Sequence, residues 1–354
     1  MRSRVWCGTA IAVLGLLASG CGGGEGSGNR GTGKSAASGG YPVTATDCTG
    51  AETTFAAAPK KIVTSDASAL ELLLRLGAGD RVIGTGFPPG KGALPGELDA
   101  QAQKVEVLSR TVVPKEKLLG SGADLYIDTF ASMAGMGGGM GDAPTEEEFR
   151  AAGINRLHLK STACAAMSKT PSTDLSAVEN DITSLGAVTG TSEKAKELVA
   201  GMREKVDGVQ KAIGGAAGDA RPTYFFFDYD AGTRQPVAVC NRQVANALIT
   251  LAGARNVFAD CDADFKQVSW EDVVSRNPDW IQLGVRNRGS EAGNDKAFDE
   301  ARAWLEGNPA TKGLKAVKEG RFLRIGSERT TIAGVENATT VRDIARAIHP
   351  DKVK

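Results

Sequence analysis

Histidine is almost missing from this chain, with His158 and His349 the two examples in 354 residues. Acid–base catalysis near neutral pH leans on an imidazole, so the sequence does not read as an enzyme. The same count excludes a zinc or manganese centre built from several histidines with carboxylates. There is no CxxC pair, no GxSxG nucleophile elbow and no GxGxxG turn joining a strand to a helix. Those absences remove a cysteine metal knuckle, a serine hydrolase site and a resident dinucleotide, and no cofactor is expected. Neither sign of charge is in excess, with 42 Lys and Arg against 42 Asp and Glu. Nucleic-acid binding needs a basic surplus and is not expected.

The apolar run Ile11 to Ala18 is too short to span a bilayer; with Arg2 and Arg4 before it, it reads as a signal-peptide core. Ala18-Ser19-Gly20-Cys21 resembles a bacterial lipobox, in which Cys21 is lipidated and becomes the mature N-terminus. Residues 1–20 are then a signal peptide. Residues 21–40, rich in Gly and Ser and poor in apolar groups, are a tether to the outer face of the cell membrane.

The chain is organised around TSEKAKELVAGMREKVDGVQKAI, Thr191 to Ile213. Ala195, Leu198, Val199, Met202, Val206, Val209 and Ile213 recur at helical spacing, with Thr191 or Ser192 as the cap and Gly214 as the stop. Such a helix is about 33 Å long, the width of a small domain. Before it, Tyr41 to Phe55 reads as a hairpin, and the segments at Lys61, Arg81, Asp124 and Arg156 read as strands alternating with helices. After it, strands at Thr223, Trp280 and Arg321 alternate with helices at Gln243, Trp270, Phe298 and Ala338. This pattern predicts an α/β protein of two doubly wound lobes, 41–190 and 214–354, joined by one long helix with a ligand cleft between them.

Four cysteines remain in the mature chain, an even number that suggests two disulfides in an exported protein. Of the three pairings, only Cys48–Cys164 with Cys240–Cys261 keeps each bridge inside one half.

Ligands of doubly wound sheets bind beyond the carboxyl ends of the strands. The loops there carry Ser65, Asp66, Phe87, Thr129, Phe130 and Lys160 in the first half. In the second they carry Tyr229, Arg234, Arg242, Trp270, Arg286, Arg288, Glu328 and Arg329. Guanidinium forks suit oxygen acceptors and aromatic faces suit planar or apolar parts of a ligand. The candidate binding set is therefore Phe87, Phe130, Tyr229, Arg234, Arg242, Trp270, Arg286, Arg288 and Arg329. Met133, Met136 and Met140 sit in a glycine-rich loop after a strand. They read first as an adaptable apolar wall and second as soft ligands for copper(I).

Lys60-Lys61-Ile62-Val63, Ala69-Leu70-Glu71-Leu72-Leu73 and Leu76-Gly77-Ala78-Gly79-Asp80-Arg81-Val82-Ile83-Gly84 resemble the opening of class III substrate-binding proteins of bacterial ABC importers. Leu251-Ala252-Gly253-Ala254-Arg255-Asn256-Val257-Phe258, Val268-Ser269-Trp270-Glu271-Asp272-Val273 and Asn277-Pro278-Asp279-Trp280-Ile281 resemble the family's second half in order and spacing. The resemblance runs from Tyr41 to His349. It implies a monomeric binder that hands a ferric siderophore, cobalamin or haem to a membrane permease and its ATPase. The sequence favours the ferric siderophore, an oxygen-rich or anionic chelate met by the arginines, because the chain offers no metal ligands of its own. Haem would need an axial group, and only Tyr229 lies on a cleft loop. The resemblance also implies that Glu71, on the outer surface of the first lobe, meets a permease arginine. Ala247 stands where the family has a second such Glu, which leaves Glu271 or Asp272 as the candidates there.

Overall fold

Six residues, Thr223–Asp228, contain the run Tyr-Phe-Phe-Phe, and all four of those side chains are buried. Only a strand covered on both faces hides consecutive rings in this way. The computed structural model describes residues 40–130, 143–214 and 221–354. The expected signal peptide, Cys21 and the three loop methionines lie outside them. Residues 38–354 form one compact unit.

A hairpin of β1 (Val43–Thr46) and β2 (Glu52–Phe55) opens the described chain. The first lobe follows as β3 (Ile62–Thr64), α1 (Ala67–Arg75), β4 (Val82–Thr85), α2 (Glu97–Ala102), α3 (Lys115–Leu119), β5 (Leu125–Asp128), α4 (Glu146–Ala151), β6 (Asn155–His158), α5 (Lys160–Ala163) and α6 (Ser176–Thr189). The linking helix α7 (Ser192–Ile213) comes next. The second lobe holds β7 (Thr223–Asp228), β8 (Val237–Val239), α8 (Val244–Leu251), β9 (Arg255–Asn256), β10 (Phe265–Gln267), α9 (Trp270–Arg276), β11 (Trp280–Gly284), α10 (Glu291–Gly307), α11 (Lys315–Lys318), β12 (Phe322–Arg324), α12 (Ser327–Thr331) and α13 (Glu336–Ile348).

The two main sheets are parallel, in the orders β4-β3-β5-β6 and β12-β11-β7-β9. Numbered within its own lobe, each reads 2-1-3-4. Both lobes therefore reverse strand order at the same place, between the first strand and the third. A crevice opens at such a switch point because the following helices leave to opposite faces.

The apolar stripe of α7 buries Ala195, Val199, Met202, Val209 and Ile213, while Leu198 and Val206 are half-buried. One core runs from Leu70 and Leu73 of the first lobe through this stripe to Leu248 and Ile344 of the second. Gly214 ends the helix at φ 71°, a left-handed turn that glycine makes without strain. The expected cap at Thr191 makes no capping bond, and its hydroxyl pairs with Thr189 instead. Helix α6 was not anticipated, because Asp181, Gly186 and Thr189 interrupt the apolar residues on its buried face. A Cβ on Gly186 would lie 2.4 Å from that of Ala195, so the glycine sets how closely α6 and α7 pack.

The four cysteines form two bridges, Cys48–Cys164 in the first lobe and Cys240–Cys261 in the second. Asp181 ties α6 to the start of α5, accepting the backbone N–H of Lys160 at 2.9 Å and of Ser161 at 2.8 Å, and the Ser161 hydroxyl. Burial pushes its carboxyl from 3.8 to about 6 against these donors. A group raised in this way stabilises the fold fully below the unfolded value and loses that contribution as pH rises through the folded one. Between pH 4 and 7 the native protein should therefore lose about 2–3 kcal/mol more than Asp181→Asn, as measured by urea unfolding at each pH. Parallel stability curves would show that Asp181 does not titrate in this range.

Candidate functional site

The carboxyl ends of the two sheets meet. A Cβ on Gly90, beyond β4, would lie 2.8 Å from both Asn287 Oδ1 and Gly289 Cα, beyond β11. Across the same junction Ala333 N–H donates to Thr162 at 2.9 Å, and the Ser172 N–H donates to the Asn241 carbonyl at 2.7 Å. Loops of both lobes thus touch at the junction, with Asn287 and Gly289, beyond the switch-point strand β11, among them.

In the first lobe the switch point lies between β3 and β5. Ser65 cross-ties it, its hydroxyl bonding Thr129 Oγ1 at 3.0 Å and accepting Thr129 N–H at 3.1 Å. Asp66 caps α1 by accepting from Ser68 and Ala69, and burial raises its pKa against those donors. Phe87 and Phe130 are half-buried and meet edge to face with centroids 5.5 Å apart. Phe87 has φ 33°, a conformation that strains a bulky residue and is characteristic of ligand clamps and active sites.

In the second lobe the switch point lies between β7 and β11. Asp230 ties it by accepting the Arg286 N–H at 2.6 Å and the Arg288 guanidinium. Asp228 accepts Ala231 N–H at 3.2 Å, and Glu328 accepts Asn287 N–H at 2.9 Å. Burial raises the pKa of both, with Arg286 opposing the shift. Two of these acids close a strongly apolar strand as Asp228-Tyr229-Asp230, a signal that a reading centred on arginine passes over.

The expected arginines divide. Arg242 pairs with Asp262 at 2.7 Å and reaches the Ala166 carbonyl across the lobes. Arg288 pairs with Asp230, and Arg329 with Asp343 at 2.6 Å. Arg234 and Arg286 are exposed and carry no side-chain bond among the described residues.

Two other expected site residues lie deeper than the sequence reading placed them. Trp270, assigned to the cleft wall, is 8% exposed. It stands at the start of α9 behind a Ser269/Asp272 capping box, packed on Trp304 at 5.1 Å and Phe227 at 5.4 Å, with its indole N–H on the Thr233 carbonyl. Tyr229 is half-buried against Phe227. Glu71, assigned to an outer surface, is 6% exposed and bonded to Arg75, which reaches Glu336 of the second lobe at 2.7 Å. Burial raises the Glu71 pKa and Arg75 opposes it.

A groove of about 670 Å³ runs along α6 and α7, lined by Thr183, Lys196, Val199, Ala200, Arg203, Glu204 and Asp207. It is an open helix–helix groove remote from the strand ends, and the paired switch points are the stronger site on topological grounds.

A family model described as periplasmic binding protein matches residues 62–328, both switch points included. The chain belongs to this family. As a periplasmic binding protein it is the substrate-binding component of an ABC transporter, and not an enzyme. It is 25% identical over 315 residues to an uncharacterized ABC transporter substrate-binding lipoprotein, YvrC, of Bacillus subtilis, covering 89% of this chain and 88% of the relative. It is 26% identical over 253 residues to a cobalamin-binding protein of Halobacterium salinarum, covering 69% of this chain and 59% of that one. Among solved structures, a periplasmic binding protein from Veillonella parvula superposes with TM-score 0.75 at 27% identity, over 89% of this chain and all of the other. An Fe3+-hydroxamate transport protein from Saccharomonospora viridis superposes with TM-score 0.71 at 22% identity, over 88% and 100% of the two chains, and shows the shared fold.

Proposed function

We propose that this periplasmic binding protein captures a ferric siderophore between its lobes and delivers it to an importer permease, anchored at the outer face of the membrane through lipid on Cys21. The observation that carries the reading is that each lobe presents a switch point of the same strand order, and that an aromatic pair, Phe87 and Phe130, stands beyond the strand ends of the first. A protein that offers few metal ligands recognises iron through its organic shell, and rings with a few placed polar groups suit such a shell. The YvrC relative, described as a lipoprotein, supports the anchor. The hydroxamate-transport and cobalamin-binding descriptions support a chelate, with cobalamin as the second candidate.

Calorimetric titration with a ferric trihydroxamate, cyanocobalamin and haemin tests this reading. The trihydroxamate is expected to bind most tightly, and Phe130→Ala to weaken it about tenfold. Silence toward all three removes chelate capture; tight binding of cobalamin alone replaces the siderophore.

A further inference from the structure

The charges at the second switch point do not match an anionic ligand. Among the described residues, the guanidinium groups acting on Asp228, Asp230 and Glu328 are those of Arg286 and Arg288, and the second of these is taken by Asp230. Asp228 and Glu328 accept backbone N–H groups but stand in no ion pair among the described residues. An ionised carboxylate offers about four acceptor positions, so each keeps capacity for a further donor. At the first switch point Asp66 is again an acid, held by backbone and hydroxyl groups. Of the five arginines expected to receive an anion, Arg242, Arg288 and Arg329 are committed to Asp262, Asp230 and Asp343.

A polyanionic chelate brought here would meet uncompensated carboxylates, and like charges at an interface weaken binding and reject the wrong partner. A chelate carrying an ammonium or several amide N–H groups would instead supply the donors that these acids lack. We infer that Asp228 and Glu328 are specificity-determining residues that select a neutral or cationic, N–H-bearing chelate and exclude polyanionic ones. Arg286, whose charge acts on both carboxyls, is the guanidinium among the described residues at this switch point that stands in no ion pair, and it takes one acceptor of the same ligand. Burial, which holds both carboxyls above their ordinary range, makes a donor there more valuable than it would be in water.

This inference rests on the chelate reading above, and the test separates the two. The full chain is titrated with ferrioxamine B, a ferric trihydroxamate with a free ammonium arm, with neutral cyanocobalamin and with trianionic ferric enterobactin. A cationic or neutral chelate should bind at least about 100-fold more tightly than the trianion, the gap expected from losing one or two charge-assisted bonds. Asp228→Asn and Glu328→Gln should each weaken the preferred chelate about tenfold and narrow that ratio, whereas Arg286→Gln should widen it. Circular dichroism and the thermal midpoint report whether each variant is folded; the opposite direction of the Arg286 variant separates charge selection from general damage. Trianion binding as tight as that of the others, or a ratio unmoved by all three variants, overturns the charge assignment and leaves chelate capture standing. Silence toward every chelate overturns both.

Discussion

Trp270→Ala should cost about 3–5 kcal/mol of stability, the range for removing a large buried ring. Its indole lies against Phe225, Phe227 and Trp304 at centroid distances of 5.1–6.3 Å, and its N–H is satisfied by the Thr233 carbonyl. Truncation leaves a cavity among rings that cannot close over it, and an orphaned backbone acceptor. Trp270→Phe should cost less, and a folded Trp270→Phe should bind its ligand with unchanged affinity. Urea unfolding followed by circular dichroism measures the first effect and calorimetry the second. Retained stability in the alanine variant, or a lost affinity in the phenylalanine variant, would return Trp270 to the ligand wall.

Cys48→Ser with Cys164→Ser should destabilise the oxidised protein by about 4–5 kcal/mol, against about 3 kcal/mol for the Cys240 and Cys261 pair. The difference comes from loop length, since the bridges span 116 and 21 residues. The longer closed loop removes more freedom from the unfolded chain. Cys48 lies just after β1 in the hairpin and Cys164 just after α5, so the bridge also fastens the hairpin to the lobe. Guanidinium unfolding of both double variants gives the comparison. Equal losses would show that native contacts, and not chain entropy, set the contribution of the bridges.

The alternation of strand and helix, the long helix and the two lobes were legible in the chain because each follows from local periodicity. The α7 stripe needs only a 3.6-residue period, and the run from Thr223 to Asp228 is too apolar for anything but a covered strand. Helix α10 was anticipated from Phe298 but begins at Glu291, because its first two turns are polar and Ser290, the cap, gives the only early sign. The address segments and the methionine loop lie outside the described residues.

By itself, the sequence determined the class of fold and which loops lie beyond strand ends, since both depend on neighbours in the chain; for the cysteines it showed only which pairing keeps each bridge inside one half. Tertiary structure alone decided which charges remain available. Arg242 meets Asp262 across 20 residues, Arg288 meets Asp230 across 58, and Arg75 joins Glu71 to Glu336 across 261. Spacing does not encode such pairings, because side-chain reach and direction are set only when the lobes close on one another. The same closure put Trp270 in the core and Glu71 in an ion-pair chain, and it left Asp228 and Glu328 beside Arg286 where the two sheets meet.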